Sequence, residues 1–128
     1  MKHKFLFFTL LILLSIRASA ADDKCTYLAK AIASEMGEEP FVVRVVFGEM
    51  LLNRLNDENF PDTLPAVCFS LGIHTRNANV TDSDMRAAAA AMSNMNFGGG
   101  ALYVQKLDKK STPLEATGGV RLYDWYFY

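Results

Sequence analysis

Apolar residues recur at helical spacing through two consecutive segments, 28–36 and 41–55, which meet at a Gly-Glu-Glu-Pro corner. In the first segment Leu28, Ala31, Ile32 and Glu35 follow the i, i+3, i+4, i+7 pattern and share one face, apolar except for Glu35. A carboxyl group on an inward face is costly unless it is paired, protonated or functional. Gly37 suits a helix end, and Pro40 suits the first turn of the next helix. The second segment, Phe41 to Leu55, sets Val42, Val46, Glu49 and Asn53 on one side. Val43, Phe47, Met50 and Arg54 fall on an adjacent side, so polar groups border an apolar surface in the way a lined cleft requires.

Downstream, Asn56 to Pro65 has the Asn, Asp and Pro content of a loop, and Val67 to Ile73 is a short apolar stretch compatible with helix or strand. Thr81 and Asp84 stand at the spacing of a helix-start box. The alanine run 87–91 then predicts a helix ending near Asn96, with Ala88, Met92 and Met95 as its buried stripe. Gly98-Gly99-Gly100 lacks the Lys-Ser/Thr and the preceding strand of a phosphate-binding loop. From Ala101 the periodicity changes. Ala101 to Gln105 reads as a strand, Lys106 to Thr117 as a charged loop, and Val120 to Tyr128 as a final strand rich in aromatics. Helices followed by an antiparallel pair of strands define an α+β class.

The amino end changes the charge balance. Lys2, His3 and Lys4 precede an apolar run from Phe5 to Ile16, and Ala18-Ser19-Ala20 forms a small-residue cleavage site, so residues 1–20 read as a secretory signal peptide. The run is too short to span a bilayer, which takes roughly 20 residues, and no retained membrane span is expected. The expected mature domain is 21–128, secreted or periplasmic at the cell envelope. The chain has 13 basic and 14 acidic residues; removing Lys2, Lys4 and Arg17 leaves 10 against 14. An acidic domain of this kind argues against nucleic acid as a partner and leaves a neutral glycan open. In an oxidising compartment the two remaining cysteines, Cys25 and Cys68, read as a disulfide, the alternative being two buried thiols. No residues have metal-ligand spacing, no cofactor is called for, and the sequence sets no oligomeric state.

The order L-A-x-x-I-x-x-E-x-x-x-E-P at 28–40, L-N-R at 52–54, F-P-x-T at 60–63, G-G-A-L-Y at 99–103 and a terminal Y-F-Y resembles the SleB-like cell-wall hydrolases of the spore cortex-lytic type. The resemblance covers 28–128. It implies a small lysozyme-like helical domain with a short antiparallel β-sheet near the C-terminus. It also implies a peptidoglycan-degrading enzyme that cleaves glycan strands between N-acetylmuramic acid and N-acetylglucosamine. Glu35 takes the position of the family's catalytic acid, and Glu39, Asn53, Gly99, Gly100 and Tyr103 fall where substrate-binding residues are expected. The chain departs from the pattern at Gly37-Glu38, where the family has Arg-Gly, and at Trp125, where His is common.

Glycosidic cleavage needs a proton for the leaving oxygen and a means of holding the oxocarbenium-like centre. Glu35, if buried against Leu28, Ala31 and Ile32, would be a carboxylic acid suited to the first task. No second carboxylate is marked by the pattern; Glu49, Asp57 and Asp62 qualify by position alone. A single acid fits lytic transglycosylation, the chemistry that the resemblance implies. The alternatives are a catalytically impaired glycan-binding relative and a secreted structural or inhibitory protein on the same fold.

Overall fold

The computed structural model describes residues 23–108 and 118–128, so the leader expected over 1–20 and most of the Lys106–Thr117 loop lie outside the described residues. Helix α1 covers residues 23–36, α2 Phe41–Leu55, α3 Leu64–Ser70 and α4 Asp82–Met92. Strands β1 (Val104–Lys106), β2 (Val120–Leu122) and β3 (Trp125–Phe127) form one antiparallel sheet in the order β1-β3-β2. Phe127 faces both Val104 and Val120 in register and is wholly buried.

Helix α2 is the axis of the fold. Val43, Val45, Val46, Phe47, Met50 and Leu51 are buried on several of its sides, as befits a helix enclosed by other elements. Gly48 allows that enclosure. A Cβ placed there would stand 2.9 Å from Ala91 Cβ on α4 and 3.1 Å from Ile32 Cδ1 on α1. The small buried face of α4 (Ala87, Ala88 and Ala91) lies against this point. Across the same contact, Arg44 Nη1 pairs with Asp84 Oδ1 at 2.9 Å. Thr81 and Asp84 form the reciprocal capping box expected at the start of α4.

The structure corrects several expectations. The ambiguous stretch after Pro65 is helix α3: Thr63 caps it by accepting from Ala66 N, and Pro65 sits in its first turn. Helix α4 stops at Met92, so its buried stripe is Asp84, Ala87, Ala88 and Ala91, while Met92 is half-buried and Met95 exposed. The chain leaves the helix through Asn94 and Asn96, both in the left-handed region (φ 61° and 50°). The final strand is a hairpin, since Tyr123 at φ 54° turns the chain between β2 and β3. The first strand begins at Val104, although Leu102 N and Tyr103 N already donate to Tyr128 O.

No disulfide joins Cys25 to Cys68. Cys68 is wholly buried in the core and Cys25 packs against the core from α1, so both act as small apolar groups. Burial, reinforced by the nearby charge of Glu35, pushes the Cys68 thiol up to about 11.

Candidate functional site

The predicted site residues fall into two groups, one at each end of α2. The first is the α1–α2 corner. Glu35 lies in the last turn of α1, and the structure places it in solvent, against the expectation of a buried acid. The buried stripe of α1 follows Leu28, Ile32 and Met36, which puts Glu35 on its flank. The carboxyl still stands close enough to α3 for its charge to act on the Cys68 thiol. Ser34 Oγ donates to His74 O at 2.7 Å and ties the end of α1 to the segment after α3. Phe69, the residue after Cys68, is 85% exposed.

The corner itself is tight. Glu39 N donates to Met36 O at 3.0 Å. A Cβ on Gly37 would stand 2.7 Å from Ala33 O, a backbone atom that cannot swing away. The departure from the family's Arg-Gly order therefore has a local cause: with this turn geometry the residue after Met36 must be glycine. Glu38 is exposed and Glu39 half-buried at the foot of α2.

The second group gathers where α2 meets the sheet. Asn53 Nδ2 donates to Ala101 O at 3.0 Å, and Arg54 Nε to Leu102 O at 2.6 Å. The Arg54 guanidinium lies 4.7 Å from the Phe60 ring centroid and 5.1 Å from that of Tyr103. Tyr103 in turn stacks on Tyr128 at 5.4 Å. Burial lowers the Arg54 guanidinium from its ordinary range, with Tyr103 opposing the shift. The L-N-R, F-P and G-G-A-L-Y motifs, far apart in the chain, thus close on one clasp. Asn53 and Tyr103, expected to bind substrate, each make contacts within it; Gly99 and Gly100 are exposed in the preceding loop.

Glu49 is one of the three acids, with Asp57 and Asp62, that position alone marks in the sequence. It is 4% exposed, and its carboxyl oxygens accept from Phe97 N at 3.0 Å and Gly98 N at 3.1 Å. The loop after α4 is held by this side chain. A pocket of about 200 Å³ opens beside it, lined by Glu49, Asn53, Asn56, Asn94, Asn96 and Gly100 among others. The signal in the sequence was an acid between Gly48 and Met50 inside an apolar helix, with no sign of what it would hold. Glu39 and Asn53 are separated by about 20 Å along the α2 axis at 1.5 Å per residue, so the two groups occupy different parts of the surface.

Comparison with known proteins places this architecture. No family model matches the chain. A spore cortex-lytic enzyme of Halalkalibacterium halodurans is 30% identical over 95 residues, covering 70% of this chain and 29% of the relative. The catalytic domain of the germination-specific lytic transglycosylase SleB from Bacillus anthracis superposes with a TM-score of 0.63 at 20% identity, over 81% of this chain and 92% of that domain. The chain has the SleB catalytic-domain fold and a spore cortex-lytic homologue. The SleB domain of Bacillus cereus agrees, with a TM-score of 0.66 at 19% identity over 83% of this chain and 89% of that domain. The chain spans under a third of the length of the curated relative it matches. Among the described residues no helix is long and apolar enough to cross a membrane, and no three His, Cys, Asp or Glu cluster as metal ligands would.

Proposed function

We propose that this chain cleaves the glycan backbone of peptidoglycan between N-acetylmuramic acid and N-acetylglucosamine by lytic transglycosylation, with Glu35 as the single catalytic acid. The observation that carries the reading is the position of Glu35: the carboxyl at the α1–α2 corner, open to solvent, on a fold shared with a lytic transglycosylase. In the reaction the Glu35 carboxyl gives its proton to the glycosidic oxygen as the muramic C1–O bond breaks. The resulting carboxylate then takes the proton of the muramic 6-hydroxyl as O6 bonds to C1 and closes the anhydro ring. The acid is restored and no water is consumed. Because Glu35 lacks a protein cover, the bound glycan itself has to exclude water from it.

Secretion to the cell envelope belongs to the same proposal and rests on the leader-like residues 1–20. A second reading, a glycan-binding relative with impaired chemistry, is favoured by one feature, the absence of the family's arginine at the Gly37-Glu38 step. Digestion of purified peptidoglycan followed by mass analysis separates the two. Anhydro-muramic ends support transglycosylation, reducing muramic ends replace it with hydrolysis, and bound but uncut strands favour the second reading.

A further inference from the structure

The pocket beside Glu49 is built from groups that the reaction at Glu35 does not use. Glu49 is more than nine-tenths buried, and two backbone N–H donors occupy only part of the acceptor capacity of its carboxyl group. Asn53 spends one N–H on Ala101 O and keeps its carbonyl oxygen, and Asn96 spends its carbonyl oxygen on Gly100 N and keeps its amide. Asn56 and Asn94 complete the lining with carboxamides that have no hydrogen-bond partner among the described residues. Two of these asparagines hold left-handed backbone conformations, a local cost that tends to accompany a binding function.

We infer that this pocket is a subsite for one N-acetylated pyranose ring of a glycan strand, whose hydroxyls donate to the Glu49 carboxyl group and whose polar groups hydrogen-bond with the surrounding asparagines. The inference rests on the glycan reading above and adds a second point of contact, away from the α1–α2 corner. Its volume of about 200 Å³ lies below the roughly 300 Å³ at which pockets for drug-sized ligands begin, and so matches a single ring. Carboxamides both donate and accept, as an acetamido group and ring hydroxyls both require, and the carboxyl of Glu49 adds an acceptor for hydroxyl donors. The lining has a single carboxyl group and no cationic side chain, which disfavours phosphate and offers a metal ion only one charged ligand.

The test uses the full chain and tri-N-acetylchitotriose as the probe, with amide chemical-shift mapping and a titrated Kd. Asn56→Ala with Asn94→Gly removes two carboxamides while sparing the fold, because glycine favours the left-handed backbone at position 94. The expected result is a shift cluster at the Phe97, Gly98 and Gly100 amides, with binding weakened about tenfold in the double variant, the equivalent of one to two hydrogen bonds. Cellotriose, which lacks acetamido groups, should bind more weakly than the chitotriose. Shifts confined to the Glu35 corner, a Kd within twofold of the parent, or equal affinity for the two sugars would overturn the subsite. Peptidoglycan cleavage by the same preparation is measured alongside, so that loss of the subsite and loss of the enzymatic reading are told apart.

Discussion

Replacing Arg54 tests whether the clasp between α2 and the sheet holds this fold together. In Arg54→Ala three contacts go at once. The charge-assisted bond to Leu102 O contributes about 1.5–3 kcal/mol. The contacts with Phe60 and Tyr103 contribute about 0.5–1 kcal/mol each. Together they predict a loss of about 2.5–5 kcal/mol, a large share of the stability of a small domain. Arg54→Lys keeps a donor for Leu102 O, but an ammonium cannot lie flat between two rings, so about 1–2 kcal/mol should be lost. Chemical denaturation read by tryptophan fluorescence reports both, since Trp125 lies in the sheet that the clasp supports. A loss under 1 kcal/mol for Arg54→Ala would show that the motif residues gathered here do not stabilise the domain.

The remaining predictions concern packing, charge and the buried thiol. Gly48→Ala gains about 1 kcal/mol of helix propensity but forces α2 against Ala91, where overpacking costs about 1–3 kcal/mol; thermal melts should show a net loss, and a gain would contradict the close approach. Burial alone would push the Asp84 carboxyl up, but the Thr81 backbone N–H, Arg44 and the Thr81 hydroxyl outweigh it and hold the group below its ordinary value of 3.8. Its contribution to stability is therefore present above about pH 4 and lost as pH falls through the lower folded value, so Asp84→Asn should flatten the acid limb of the stability profile. Cys68, buried and raised to about 11, should resist alkylation at neutral pH until the protein unfolds; labelling of native protein at Cys68 by peptide mass would contradict its placement.

Much of this architecture was legible in the chain, for reasons particular residues supply. Pro40 and the unbroken apolar pattern after it define α2 from Phe41 to Leu55, and the Thr81/Asp84 pair marks the start of α4. The motif order pointed to the fold because its residues meet in space: Asn53, Arg54, Phe60 and Tyr103 form one contact network. What was not legible depends on non-local cover or on unusual backbone. Periodicity put Glu35 on the apolar face of α1, but among the described residues no element covers the flank it occupies in the last turn. The Tyr123 turn carries no glycine at the left-handed position, and the end of α4 is set by two left-handed asparagines, so neither break appears as a composition signal. Glu49 looked like any acid on a helix, because its partners are backbone amides of a loop about fifty residues downstream.

The central claim, that Glu35 supplies the proton, is tested most directly by comparing Glu35→Gln with the parent on purified peptidoglycan and counting released muropeptides by mass. Glutamine keeps the reach and hydrogen bonding of the side chain but has no acidic proton, and at an exposed position it should leave the fold and glycan binding nearly intact. The expected result is release of anhydro-muramic fragments by the parent and a fall of at least about a hundredfold in the variant, in line with the loss of a general acid. Cleavage by Glu35→Gln at a rate near that of the parent would contradict the claim and leave Glu35 a surface acid at the corner.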